Sequence, residues 1–286
     1  MATKELHSAP RLASLYAKAV LPSRGGETLP DTEYLRAGVE FDPAHLAAYD
    51  QVCGFRLSDE LPATYPHLLA FPLQMALMTQ PDFPFPLLGM VHVANRITQR
   101  RPVRLGETVS IRVQAENLRP HEKGRQFDVL SELSTQDGVV WREVSTYLRR
   151  GGRSGSSRSR QLAAPSPTAI WRVPAGIGRR YAEVSGDRNP IHLHPLTAKL
   201  FGFPAAIAHG MWSKARTLAA FEGRLPGAYT VDVRFKLPVL LPAKVAFTSW
   251  ETSDGWAFEL WHAKKPKPHL EGTISSVATP GPRGGR

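Results

Sequence analysis

The chain has 286 residues, 42% hydrophobic and 21% charged, with one cysteine and a formal net charge of +11; a lone cysteine excludes a disulfide scaffold and a four-cysteine zinc site. No apolar run reaches the ~18–20 residues of a membrane span, and the N-terminal stretch lacks a compact apolar core ending in small residues, so neither a membrane span nor a secretory leader is expected and a cytoplasmic location is the default. Seven arginines (149, 150, 153, 158, 160, 283 and 286) sit in Gly/Ser/Pro-rich segments, and discounting them leaves +4: too little for a nucleic-acid surface, and compatible with a small phosphate-bearing partner.

In chain order, an apolar stretch at 68–79 precedes four strand-like runs at 91–99, 108–118, 126–136 and 139–149. Val109, Ile111 and Val113 alternate, and Asp137-Gly138 marks a hairpin turn. Residues 150–168 are dominated by Gly, Ser, Arg and Pro and read as a linker between an N-terminal unit (1–149) and a C-terminal unit (169–279). After an irregular polar segment at 180–208, a helical stretch at 211–221 leads to strand-like runs at 229–237, 243–251, 256–263 and 270–278. Val245, Phe247 and Ser249 alternate there, and Asp254-Gly255 is the matching turn. Residues 280–286 read as a loose tail.

The halves repeat. Pro102 and Val109 fall on Pro238 and Val245 at an offset of 136, and Tyr49, Val52 and Gly54 fall on Tyr181, Val184 and Gly186 at an offset of 132. A helix followed by an antiparallel meander is an α+β unit, a sheet wrapped around one helix. Two such units are expected to pack as a pseudo-dimer.

The segment 180–211 carries the chemistry. Asp187, Asn189, Pro190 and His192 lie within six positions, and His209 and Gly210 precede the helix. Turn chemistry alone accounts for Gly-Asp-x-Asn-Pro, because Asp and Asn bond their own backbone and Pro fixes φ. It leaves unexplained a carboxylate and an imidazole held close together beside a helix start. Such a pair can share a water and move its protons. A backbone N–H at Gly210, at the positive end of the helix dipole, can stabilise a developing oxyanion.

The pattern Y-x-x-V-S-G-D-R-N-P-I-H, then G-F-x-x-x-I-A-H-G-M, then V-R-F-K-x-P-V resembles the MaoC-like family of (R)-specific enoyl-thioester hydratases/dehydratases over most of 172–278. The layout is similar to tandem actinobacterial 3-hydroxyacyl-thioester dehydratases. The resemblance implies a double hot-dog fold in which only one half keeps the chemistry. It assigns Asp187 and His192 as the water-activating pair, Asn189 to their hydrogen-bond network and Gly210 as the oxyanion-hole donor, with no cofactor and no metal. At the 132 offset Phe55 and Glu60 replace the pair, so the first half is expected to be inactive. Leu68, Leu69, Phe71, Leu73, Met75, Leu77 and Met78 suit either an acyl tunnel or a plain core.

His209, Arg234 and Lys236 are candidate substrate-binding residues, the last two for the phosphates of CoA or phosphopantetheine, although alternating cations on a strand are usually a solvated face. Cys53 has no motif around it and reads as a small hydrophobe. His262 and His269 lack a metal-ligand partner at suitable spacing. The expected partner is an acyl-CoA or acyl-carrier-protein thioester, with a homodimer of the whole chain possible. A thioester-binding protein without catalysis is the competing reading.

Overall fold

The computed structural model describes residues 2–19, 26–87, 89–151 and 163–277. The first half runs β1 (Ala2–Glu5), α1 (Leu12–Ala19), β2 (Thr32–Val39), α2 (Pro43–Cys53), α3 (Pro66–Met78), β3 (Met90–Gln99), β4 (Val109–His121), β5 (Gly124–Thr135) and β6 (Gly138–Arg150). The second runs β7 (Ala169–Val173), α4 (Ile177–Ser185), α5 (Pro190–Leu193), α6 (Pro195–Leu200), α7 (Gly210–Ala219), β8 (Tyr229–Phe235), β9 (Ala243–Thr252), β10 (Gly255–His262) and β11 (Pro268–Ser276).

All strands join one sheet in the order β1-β2-β4-β5-β6-β3-β8-β11-β10-β9-β7. Each half contributes its own meander, and the two meet edge to edge where β3 pairs antiparallel with β8, from Ala94↔Arg234 to Gln99↔Tyr229. This pairing removes an exposed edge from each half. The result is the expected double hot-dog, with α3 and α7 as the two central helices.

The apolar stripe of α7 is narrow, yet Trp212, Ser213, Lys214 and Thr217 are buried along with Met211, Ala215, Leu218 and Ala219. The first half covers the remaining faces. Trp212 donates its indole N–H to the Val52 carbonyl at 3.0 Å, and Lys214 donates to the Asn95 carbonyl at 2.9 Å as well as to the Val231 carbonyl of its own half at 3.1 Å. Of the first-half apolar candidates, Leu68, Leu73, Leu77 and Met78 belong to the main core, whereas Phe71 and Met75 form a separate cluster with Leu15.

Helices α2 and α4 are pseudo-symmetric partners. Each ends on a left-handed glycine, Gly54 at φ 82° and Gly186 at φ 71°. They pack with Tyr49 and Tyr181 ring centroids 6.4 Å apart, and the His45 Nε2 lies 2.8 Å from the Val184 carbonyl oxygen. Gly178 in α4 is required by close approach: a Cβ there would lie 2.0 Å from the His192 carbonyl oxygen.

The repeat does not keep one offset. Glu60 bridges Arg104 as Ile207 bridges Leu240. The Leu61 N–H bonds the Val103 carbonyl as Ala208 bonds Val239, and Leu105 bonds Asp59 as Leu241 bonds Ala206. Glu60 therefore corresponds to Ile207, which corrects the expected match to His192. Residues 55–59 stand where the second half has 187–206. The first half lacks the whole stretch that builds α5 and α6, rather than carrying a mutated copy of it.

The expected linker begins inside β6 and its other end is tied to β9. Strand β6 includes Arg150, the Thr168 N–H bonds the Phe247 carbonyl at 2.8 Å, and Ser166 accepts from the Thr248 hydroxyl at 3.0 Å. Residues 152–162 and the tail lie outside the described residues. Among the described residues, no helix is long and apolar enough to cross a membrane.

Candidate active site

Helix α4 stops at Gly186, and the chain turns directly into Asp187. Asn189 fixes that turn: its N–H donates to Asp187 Oδ1 at 3.2 Å, and its side chain accepts from the Ile191 N–H at 3.4 Å as the cap of α5. Pro190 occupies the first helical position, where its missing N–H costs nothing. One short turn later His192 faces back. His192 Nδ1 lies 2.8 Å from the Ile207 carbonyl oxygen. A carbonyl can only accept, so Nδ1 carries the proton, and Nε2 of the neutral ring is left with its lone pair.

His209 lies beneath His192, with ring centroids 3.7 Å apart and the planes 24° from parallel. Its Nε2 is 3.0 Å from the Asp187 carbonyl oxygen and 3.8 Å from Asp187 Oδ2. Tyr181 closes the far side of His209 at 4.9 Å. His209 is thus a buried support for the pair, 2% exposed. Burial pushes its pKa down to about 3 and lowers that of His192 as well. For Asp187, burial pulls upward, but His209, His192, the Tyr16 hydroxyl and the Asn189 N–H outweigh it and hold the carboxyl below its ordinary 3.8. At neutral pH the site holds a carboxylate beside neutral imidazoles.

Donor atoms of Asp187, His192 and His209 lie within 4.8 Å of one another, close enough to surround an ion. The His209 Nε2 is already directed at a backbone carbonyl, however. The His209 Nδ1 is buried with no hydrogen-bond partner among the described residues.

Gly210 opens α7. As the first helical residue, its N–H has no partner within the helix. A Cβ at this position would sit 3.1 Å from Phe235 Cε1, so the glycine keeps the helix start open beside that ring. The same contact orients β8. Phe235 points toward Gly210, so Arg234 and Lys236 point to the opposite face. Both are exposed, and Lys236 pairs with Glu271 at 2.6 Å. The structure brings Asp187, Asn189, His192, His209 and Gly210 together and leaves Arg234 and Lys236 outside.

Sequence reasoning missed Tyr16, whose hydroxyl donates to Asp187 Oδ1 at 2.7 Å from α1. It also missed a groove lined by Arg172, Lys244, Lys265 and Lys267, with no acidic residue among the described residues of its lining. Leu240, in the groove wall, bridges Ile207, the residue that holds His192. Cys53 is buried, and burial raises its thiol pKa, as expected of a core residue rather than a nucleophile.

The buried neutral imidazoles make folding pH-dependent. His92 and His209 both have pKa values near 3 in the folded chain against an ordinary 6.5. As pH falls below 6.5 the unfolded chain takes up protons that the folded rings refuse. Their contribution is therefore full above 6.5 and declines toward pH 3, with a limiting slope of about 1.4 kcal/mol per pH unit for each ring, offset in part by Asp50, whose carboxyl burial raises to about 7. The melting temperature should drop steadily from about pH 7 to pH 5; a flat profile would contradict the neutral assignment.

A family model described as "MaoC like domain" matches residues 165–272. Over 256 residues the chain is 42% identical to 3-hydroxyacyl-thioester dehydratase X of Mycobacterium tuberculosis, covering 88% of this chain and 91% of that protein. The enoyl-CoA hydratase ChsH3 of the same organism is 29% identical over 183 residues, 59% of this chain and 63% of that one. A crystal structure of HtdX from M. tuberculosis superposes with a TM-score of 0.78 at 41% identity, over 86% of this chain and all of that one. A MaoC-like dehydratase from Phytophthora capsici, at 19% identity and a TM-score of 0.70 over 90% and 98% of the two chains, shares the fold.

Proposed function

Since the chain belongs to the MaoC-like dehydratases, enzymes that hydrate and dehydrate acyl thioesters, we propose that its second half adds water across the double bond of a trans-2-enoyl thioester to give a (3R)-3-hydroxyacyl thioester. The observation that carries this reading is the side-by-side placement of Asp187 and His192 around Asn189, with their carboxylate and imidazole beside the start of α7 at Gly210.

In this reading the thioester carbonyl accepts from the Gly210 N–H, where the α7 dipole favours the negative charge that builds on oxygen. A water donates one proton toward Asp187 Oδ2 and the other toward His192 Nε2. The C3–O bond forms as the water O–H bond to His192 breaks, and the π electrons move toward the carbonyl oxygen. The imidazolium then gives its proton to C2, restoring the thioester carbonyl and the neutral ring. Asp187 stays ionised throughout, orienting the water and stabilising the transient imidazolium. Dehydration is the same path reversed.

The carrier, CoA or acyl carrier protein, bears phosphate, and Arg172, Lys244, Lys265 and Lys267 in the groove suit it better than the outward-facing Arg234 and Lys236. Self-association of the whole chain belongs to the same proposal and is checked by sedimentation.

The test is a spectrophotometric hydration assay with short- and long-chain trans-2-enoyl-CoA, in the presence of a chelator. Loss of the conjugated-enoyl absorbance without added metal or nucleotide is expected. Activity removed by the chelator and restored by zinc would contradict the mechanism. Thioester binding without turnover at any chain length would favour the non-catalytic reading.

A further inference from the structure

Helix α1 touches both halves at the site. Leu12 and Leu15 pack with Phe71 and Met75 of α3. The Leu12 Cδ1 also occupies space beside the catalytic turn, where a Cβ on Gly186 would come within 2.3 Å. One position after Leu15 and one turn after Leu12, the Tyr16 hydroxyl donates to Asp187 Oδ1 at 2.7 Å.

We propose that Tyr16 is a positioning residue for Asp187, supplied by the half of the chain that lacks the catalytic turn. Resting on the hydratase reading, the argument is one of carboxylate geometry. Asp187 Oδ1 takes two donors, the Tyr16 hydroxyl and the Asn189 N–H. With Oδ1 held, the carboxylate cannot rotate, and Oδ2 is the oxygen presented to the water beside His192. A hydrogen bond to a charged acceptor is among the strong ones, and here it is partly shielded from solvent. It also favours the ionised carboxylate. The other titratable groups facing Asp187 are His192 on α5, His209 before α7, Tyr181 on α4 and Tyr147 on β6.

The experiment compares Tyr16→Phe and Leu12→Ala with the unmodified full-length chain. Tyr16→Phe keeps the ring packing and removes only the donor. It should lower kcat about ten- to a hundred-fold, the range of one lost hydrogen bond to a charged group. KM for a short enoyl-CoA should stay within about twofold, and the acid limb of the pH–kcat profile should move to higher pH. Leu12→Ala should lower the melting temperature and leave that limb in place. A Tyr16→Phe enzyme with unchanged kcat and unchanged acid limb would overturn the proposal. So would one faster than the unmodified protein, which would make the hydroxyl a plug. If the unmodified chain turns over no thioester, the hydratase reading fails on its own. Carboxyl-carbon NMR of Asp187 then decides: a pKa raised by Tyr16→Phe upholds the positioning, and an unchanged one overturns it.

Discussion

Asp187→Asn and His192→Ala should each reduce kcat by at least about 100-fold, the lower range for losing a general acid or base. The two replacements differ in their structural cost. Asn at 187 keeps the shape of the carboxylate and can still accept from Tyr16 and the Asn189 N–H, so the fold should be retained. Ala at 192 removes the bond to the Ile207 carbonyl and the ring stacked on His209. It should lower stability by about 1–3 kcal/mol while leaving the chain folded. The double variant should lose much less than the product of the two factors, because groups that hold one water act as a unit. Multiplicative losses would place Asp187 and His192 in separate steps, and near-normal turnover in either single variant would remove that residue from the mechanism.

Glu143→Leu should give the largest loss of stability. Glu143 is fully buried on β6, and His67 Nδ1 lies 2.8 Å from it. Gln74 Nε2 donates to it at 3.0 Å and Asn95 Nδ2 at 2.6 Å. Asn95 in turn takes the buried Lys214 ammonium from α7, so one cluster ties α3, β3 and β6 of the first half to the central helix of the second. Leucine would remove the acceptor that His67, Gln74 and Asn95 share, leaving Gln74 and Asn95 their bonds to the Ser131 and Ser145 hydroxyls alone, and would take away the carboxylate nearest Lys214. Breaking a buried charge network of this kind costs about 3–5 kcal/mol. At roughly 2–4 °C per kcal/mol for a chain of this class, the melting temperature should fall by about 10 °C. A change within about 2 °C would show that the cluster does not hold the halves together.

The four long strands of each half were legible because period-2 alternation and the two Asp-Gly turns are local signals; the pairing of β3 with β6 and of β8 with β11, instead of with the next strand along the chain, was not. The turn after α4 was legible for the same reason: Asp187, Asn189, Pro190 and His192 are neighbours in sequence, and their residue types each do a backbone job there. Tyr16 was not legible. It lies 171 residues from Asp187, in an N-terminal stretch that carries no motif. The Glu143 cluster was equally hidden, since a glutamate among strand residues looks like any solvated position until the other half is packed against it. The match of Glu60 to His192 failed because a constant offset cannot register a deletion. Gly54 and Gly186 end equivalent helices, yet the chain rejoins the repeat only at Glu60 and Ile207. Arg234 lies on β8 as expected and Lys236 just beyond its end, and the neighbouring Phe235, which turns toward Gly210, decides that they face away.

The most direct measurement of the central claim is hydration of a trans-2-enoyl-CoA in oxygen-18-labelled water, with the product analysed by mass and by chirality. The unmodified chain should place one labelled oxygen at C3 and yield the (3R) isomer, and the Asp187→Asn/His192→Ala chain should place essentially none. A (3S) product, or equal labelling by the double variant, would contradict the assignment of this site.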